Sequence, residues 1–235
     1  MNQSSSSPAA GEAFELYEAM RTLRAVRRLK PDPVPDPVLH RVLEAASWAP
    51  TGANLQPWRA LVVSDPALKR ELGKLYAERW RAYVADHRRR LDGQPEAVVT
   101  AAERTLSAGD YLADNFAQVP VVVVFCFDAR QMAITDSGLD RVSVVGGASV
   151  YPAVENMLLA CRAEGLGCVL TTLLCADEPR VTELLEIPAP WATAAAIPVG
   201  YPVGRGHGPI RRKPVERLAF RNRWGAPFEA EGESS

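Results

Sequence analysis

The run Val121–Phe127, VVVVFCF, is the feature that most restricts how this chain can fold. An unbroken apolar stretch this rich in valine favours a β-strand, and the preceding Pro120 marks where the strand begins. Because the run carries no polar residue, both faces of the strand must be covered by other parts of the protein. The sequence therefore predicts a buried strand inside a sheet, with helices packed around it.

The rest of the pattern predicts helices over residues 12–29, 36–48, 66–91, 96–117, 146–163 and 177–185. It predicts further strands over 59–64, 168–174 and 192–199. Neither repeats nor a second domain can be recognised. The expected fold is an α+β sandwich, in which helices surround a mixed central sheet of about four or five strands.

The chain has 235 residues, of which 47% are hydrophobic, enough for the core of one domain. We expect a single domain over residues 12–228, between disordered tails at 1–11 and 229–235. The tail from Val215 to Phe228 contains Phe220 and Trp224. Such a tail either docks on its own core or is lent to a partner subunit.

Charge and cysteine usage exclude several classes of function. The net charge of −1 and the pI of about 6.3 give no overall field that attracts nucleic acid or a membrane surface. No apolar run approaches a membrane span, and the polar N-terminus does not resemble a signal peptide. The four cysteines form no CxxC pair and the three histidines are scattered, so spacing supports neither a metal site nor a His-based triad. We expect reduced thiols in a cytoplasmic protein.

Residues 48–58, WAPTGANLQPW, join a helical pattern to a strand pattern. Pro50 and Pro57 each remove a backbone donor, and Gly52 permits a close backbone approach. Thr51, Asn54 and Gln56 can both donate and accept hydrogen bonds. From chemistry alone, the loop either fixes its own turn or recognises a ligand.

Arg21, Arg24, Arg27 and Arg28 crowd the end of the first predicted helix. Like charges so close together repel one another. The cluster is either a solvated basic face or an anion site, where bidentate guanidinium contacts offset the repulsion.

Three separated pieces resemble one family when they are taken in order. They are RAVRRL at 24–29 followed by PVP at 33–35, then APTGANLQPW at 49–58, and finally GLG at 165–167 leading to LTTL at 170–173, with RKP at 212–214 closing the set. Together they resemble the flavin-dependent nitroreductase family over roughly residues 15–220. That resemblance implies an α+β homodimer that binds FMN in two active sites at the subunit interface.

The resemblance also implies an activity and a set of binding residues. Members use NAD(P)H to reduce the flavin, which then reduces nitroaromatics, quinones or related small acceptors in a ping-pong order. Arg24 and Arg27, with Arg212 and the adjacent Arg211 near the other end, would hold the FMN phosphate. The partner subunit would supply Pro50, Thr51, Asn54 and Gln56. Ala25, Leu170, Thr171 and Thr172 would also border the cofactor, the last three beside the isoalloxazine. The flavin carries the chemistry, so no catalytic side chain is named.

Some positions depart from the family pattern. Many relatives have a basic residue in place of Leu23 and a serine in place of Ala25, so phosphate contacts would be lost here. The segment from Leu68 to Asp114 corresponds to the variable region that often covers the substrate. Tyr76, Trp80 and Tyr83 in it either stack on an aromatic acceptor or pack between long helices.

Two other functions compete with this one. A sister branch of the same fold would perform reductive dehalogenation or flavin breakdown. A non-enzymatic module would bind a phosphorylated ligand or nucleic acid through the arginines, although the near-neutral net charge argues against nucleic acid.

Overall fold

The computed structural model describes residues 15–228. The predicted tails at 1–11 and 229–235 lie outside the described residues, as do the first three residues of the predicted domain. Within the described part, no helix combines the length and the apolar character needed to cross a bilayer.

A four-stranded sheet forms the centre of the fold. Its strands are β1 (Trp58–Val63), β2 (Val121–Asp128), β3 (Gly167–Cys168) and β4 (Trp191–Gly200), in the order β1-β2-β4-β3. The three strand pairings are antiparallel, and an isolated parallel bridge joins Ala25 to Cys168. The α+β class and the expected number of strands are thus confirmed.

The apolar run around Val121–Phe127 lies in β2, where it pairs with β1 on one side and β4 on the other. Alternate side chains enter two separate cores. Val122, Val124 and Cys126 pack into one core, and Val121, Val123 and Phe125 pack into the other. This strand therefore has both faces covered, as its composition predicts.

Among the described residues, six helices cover the sheet. They are α1 (Leu16–Thr22), α2 (Asp36–Ser47), α3 (Pro66–Leu91), α4 (Glu96–Asn115), α5 (Tyr151–Ala163) and α6 (Glu178–Leu184). Buried residues of α3, α4 and α6 belong to one core, and those of α2 and α5 belong to the other. The two cores on opposite faces make the expected sandwich.

The pair α3 and α4 is built as a long hairpin beside the sheet. Asp65 caps α3 by accepting hydrogen bonds from the backbone N–H groups of Ala67 and Leu68, each at 2.8 Å. Gly109 of α4 faces the ring of Trp80, and a Cβ atom at Gly109 would lie 2.1 Å from that ring. The two helices therefore approach closely because this position has no side chain.

The predicted helix over residues 12–29 is wrong in its second half. Helix α1 ends at Thr22, and the chain then runs extended, with Val26 N–H donating to the Cys168 carbonyl at 2.9 Å and Lys30 N–H to the Tyr201 carbonyl at 2.8 Å. The apolar side chains of α1 are also poorly covered, since Leu16 is 57% exposed and Met20 45% exposed. Hydrogen bonds to distant segments here override a locally helical pattern.

The predicted strand over 168–174 is also shorter than expected. Only Gly167 and Cys168 belong to β3, and a 3₁₀ turn covers Leu173–Asp177. Between them, Thr171 pairs with Ala196 of β4 through an isolated antiparallel bridge. The segment therefore continues along the edge of β4 with an interrupted pairing, which leaves part of its backbone unpaired.

Candidate functional site

Residues 21–30, which comprise the end of α1 and the extended segment after it, lie between two parts of the C-terminal half of the chain. On one side it bonds to Cys168. On the other side, Val203 N–H donates to the Arg28 carbonyl at 2.9 Å, Gly208 N–H to the Thr22 carbonyl at 3.0 Å and Ile210 N–H to the Arg21 carbonyl at 3.3 Å. The arginine segment is thereby placed directly beside residues 201–210.

The buried imidazole of His207 reinforces this contact. Its Nδ1 accepts the backbone N–H of Arg24 at 3.3 Å, and its Nε2 lies 2.8 Å from the Leu166 carbonyl. A neutral ring with the proton on Nε2 satisfies both partners. Burial lowers the pKa of His207, which favours that neutral form.

Arg24 turns toward the C-terminal segment. Its guanidinium donates to the Pro209 carbonyl and packs 3.6 Å from the position that a Cβ at Gly208 would occupy. Arg211 and Arg212 follow within three residues and are exposed. Basic side chains from the two ends of the chain therefore lie along one backbone contact.

Arg27 faces a different surface. It lines a cavity of about 450 Å³ between the α3–α4 hairpin and the segment at 169–173. The other lining residues are Tyr76, Trp80, Tyr83, His87, Ala102, Thr105, Leu106, Val169, Leu170, Thr171, Thr172 and Leu173. Of the predicted site residues, the structure thus brings Arg27, Leu170, Thr171 and Thr172 together.

The floor of the cavity is polar at one point. Tyr76 is 2% exposed, and burial raises the pKa of its phenol, while the nearby Arg27 charge and a hydrogen bond with Thr171 act in the opposite direction. The phenol, guanidinium and hydroxyl groups therefore meet at the level of Tyr76 on α3.

Thr171 does not present free backbone groups. Its N–H donates to the Ala196 carbonyl at 3.0 Å, and its carbonyl accepts from Ala196 N–H at 2.8 Å. By contrast, the N–H groups of Leu170 and Thr172 have no partner among residues 15–228. Leu170 and Thr172, unlike Thr171, therefore have a backbone N–H group that a ligand can use.

The loop at 50–57 is exposed and held in an unusual backbone. Ala53, Asn54 and Gln56 all have φ between 50° and 56°, which is the left-handed region and unfavourable for residues with a side chain. Gln56 N–H donates to Thr51 Oγ1 at 3.0 Å, and Gly52 N–H to Ser149 Oγ at 3.3 Å. An exposed loop that keeps such an unfavourable backbone conformation is typical of a binding loop.

This loop does not reach the cavity of its own chain. None of Pro50, Thr51, Asn54 and Gln56 is among the residues that line it. Ala25 lies apart as well, since it is exposed and bridges to Cys168 at the sheet edge.

The residues present fit a phosphate-bearing, planar cofactor such as the FMN that the resemblance implies. Arg24, Arg27, Arg211 and Arg212 have no ion-pair partner in the part of the chain that the structure describes. A phosphate dianion needs several charged donors of this kind.

Sequence reasoning missed several of these groups. His207, His87 and Thr105 were not singled out, and each contributes through contacts between elements distant in sequence. The one available signal was the recurrence of aromatic rings along α3, from Tyr76 to His87.

This chain is similar to known proteins over most of its length. The model of the nitroreductase family matches residues 20–201. An NADH dehydrogenase of Thermus thermophilus is 32% identical over 206 residues, covering 84% of this chain and 91% of the relative. A 5,6-dimethylbenzimidazole synthase of Rhodospirillum rubrum is 30% identical over 203 residues, covering 85% and 86%.

A solved structure shows the same fold. The crystal structure of oxidised iodotyrosine deiodinase bound to FMN and 3-iodo-L-tyrosine superposes with a TM-score of 0.65 at 23% identity. The match covers 89% of this chain and 99% of that one.

Proposed function

Because the chain belongs to the nitroreductase family, we propose that it is an FMN-dependent oxidoreductase that uses NAD(P)H to reduce nitroaromatic, quinone or related small acceptors. One observation carries the proposal. Arg24, Arg211 and Arg212 flank the contact between residues 21–30 and 201–210, and Arg27 lines the cavity at Leu170–Thr172; none of these four arginines has an ion-pair partner among the described residues.

The arginines divide between the two ends of the cofactor. Arg24, Arg211 and Arg212 lie toward the C-terminal contact and would hold the phosphate. Arg27 shares the cavity with Leu170 and Thr172, so its guanidinium would lie closer to the ring system than the sequence alone implies. Ala25 would contribute its backbone.

The remaining contacts would come from a second copy of the chain. The Pro50–Gln56 loop is exposed and does not line its own cavity, so it is free to reach the cavity of a partner. Pro50, Thr51, Asn54 and Gln56 would then complete the cofactor site, as the family resemblance implies.

The bound flavin would supply the two-electron chemistry. The chain's own part is to bind the cofactor, orient it and exclude water from one face. NAD(P)H and the acceptor would occupy the same cavity in turn, which is a ping-pong order. We place this enzyme in the cytoplasm.

The relatives give a second candidate function. A deiodinase and a dimethylbenzimidazole synthase both match this chain over most of its length. Reductive dehalogenation or flavin breakdown by the same site is therefore the alternative to compare.

The test is direct. The purified protein should be yellow, or take up FMN to become so, and it should oxidise NADH or NADPH with menadione or a nitrofuran as acceptor. A colourless protein that cannot be reconstituted and leaves both nucleotides unoxidised would refute the proposal. Release of iodide from 3-iodotyrosine, or loss of flavin absorbance after aerobic reduction, would favour the alternative.

A further inference from the structure

The cavity beside Leu170–Thr172 extends along three turns of α3, beyond the groups assigned to the flavin. We infer that its outer part binds a planar aromatic acceptor that carries a carboxylate or a similar anionic group, held by Tyr83 and His87. This inference rests on the proposed function, since it names the acceptor that the same site would take.

The cavity is long in the direction of α3. Arg27 lies at the level of Tyr76, whereas His87 is eleven residues further along the same helix. At 1.5 Å per residue, the two levels are separated by about 16 Å. A flavin ring beside Arg27 and Thr171 therefore leaves the outer end of the cavity, next to His87, open to another molecule.

The aromatic residues that line the cavity have two different roles. Trp80 is 7% exposed, packs on Gly109 and donates its Nε1 proton to Asp110 at 2.8 Å, so it supports the wall. Tyr83 is 47% exposed, and its ring centroid lies 4.8 Å from that of His87. Tyr83 and His87 thus present an accessible aromatic surface on a rigid helix, which is what a flat ring stacks on.

The charged groups in and around the cavity indicate which substituent it would accept. The residues that line the cavity include one guanidinium and one imidazole but no carboxylate. The nearby acids Glu103 and Asp110 are both bonded to Arg88, at 3.1 Å and 2.7 Å. An anionic substituent would therefore meet no repulsion from the lining residues, whereas a free ammonium group would find no partner.

His87 and Thr105 would donate hydrogen bonds to the anionic group of the acceptor. Neither ring nitrogen of His87 has a hydrogen-bond partner among residues 15–228. An imidazole offers at least one N–H donor, and the hydroxyl of Thr105 also lines the cavity. Together they suit a carboxylate at the outer end of an aromatic ring. A zwitterionic amino acid such as 3-iodotyrosine is disfavoured by the same lack of an acid.

The experiment uses the flavin-loaded protein and three acceptors: 4-nitrobenzoate, its methyl ester and 3-iodo-L-tyrosine. The acid and the ester share the nitroaryl ring, and the ester replaces the carboxylate charge with a neutral methyl ester group. Wild-type protein should show a lower KM for the acid than for the ester, and the weakest response to 3-iodotyrosine. Binding of benzoate, which is not reduced, is measured in parallel by isothermal titration calorimetry.

Two variants assign the residues. Tyr83→Leu should weaken binding of both aromatic acceptors and of benzoate by about 3- to 10-fold, and Tyr83→Phe should restore it. His87→Phe keeps a ring but removes the donor, and it should lower the preference for acid over ester by about 10-fold. His40→Phe, at an exposed position on α2, is the matched control and should behave as wild type.

The outcomes are distinguishable from failure of the proposed function. Absence of flavin, or of nucleotide oxidation with any acceptor, counts against the proposed function itself. Three results, each found with normal flavin content, would overturn this inference alone. They are equal KM values for the acid and the ester, unchanged benzoate binding in both Tyr83→Leu and His87→Phe, and a preference for 3-iodotyrosine.

Discussion

His207 shows how one buried side chain can fix a binding segment in place. Its ring accepts from Arg24 N–H and bonds to the Leu166 carbonyl, so a single residue joins three separate parts of the chain. Arg24 and Arg162 are the charged groups that face it, and both oppose a positive imidazole. Protonation would also remove the acceptor that Arg24 N–H uses.

This arrangement predicts a pH effect on stability. The pKa of His207 is lowered by burial, so the unfolded chain takes up this proton at a higher pH than the folded protein does. The contribution of His207 is then complete above about pH 6.5 and decreases as the pH falls below that value. Urea unfolding between pH 7.5 and pH 5 should show a smaller loss of stability for His207→Gln than for wild type. His40→Gln, an exposed control, should follow wild type, and parallel curves for all three proteins would contradict the prediction.

The arginines at the two ends of the chain can be tested one at a time. Arg212→Ala and Arg27→Ala should each weaken FMN binding by about 1–3 kcal/mol, because each removes a charged hydrogen bond, while the fold is kept. The measurement is fluorescence titration of the apoprotein with FMN. Arg104→Ala, an exposed arginine on α4, serves as the control. Unchanged affinity in both variants would remove these residues from the cofactor site.

The helices and strands whose ends are marked by local sequence signals were predicted well. Helix α3 begins at Pro66 and ends at Leu91 as predicted, because Asp65-Pro66 and Asp92-Gly93 mark its two ends. The strand around Val121–Phe127 was predicted equally well from its unbroken apolar run. The errors lie at residues 23–29 and 169–174, where partners such as Tyr201 and Ala196 decide the backbone. No pattern within those segments identifies their partners, so their contribution to the cavity could not be predicted.

The α3–α4 hairpin is joined by a side-chain network around Asp110. This carboxylate accepts from Trp80 Nε1 and from Arg88, which also bonds to Glu103, and hydrogen bonds from both donors lower the pKa of Asp110 against the effect of burial. Asp110→Ala should therefore cost about 1–2 kcal/mol of unfolding free energy, since the buried indole N–H loses its acceptor. The measurement is chemical denaturation monitored by tryptophan fluorescence.

A matched control lies on the same helix. Asp114 pairs with Arg81 at 3.7 Å, and both side chains are more than half exposed. Asp114→Ala should change stability by less than about 0.5 kcal/mol. Equal effects of the two substitutions would mean that the network around Asp110 does not hold the hairpin together.

For the whole molecule, the exposed apolar side chains indicate a surface meant to be covered. Trp48 is 72% exposed just before the strained loop, Leu55 is 53% exposed within it, and Trp224 is 93% exposed in the C-terminal tail. The tail is therefore not docked on its own core at Trp224. Large exposed apolar side chains such as Trp48 and Leu55 in neighbouring positions are typical of an interface.

A homodimer that covers this surface stays a prediction. Light scattering after gel filtration should give twice the chain mass of 25.6 kDa. Trp48→Glu should shift the protein toward the monomer and lower its flavin content, because the partner's loop would no longer complete the site. Val98→Glu, at a 47% exposed position on α4, should leave both properties unchanged. A wild-type monomer with full flavin content would show that one chain is sufficient.

The placement of residues 21–30 has a consequence for biosynthesis. This stretch leaves the ribosome early, yet its backbone partners at Cys168, Tyr201 and Gly208 are made much later in translation. The early arginine segment cannot complete these hydrogen bonds until the last third of the polypeptide has been made. The cofactor site proposed above would therefore be completed late in the synthesis of this protein.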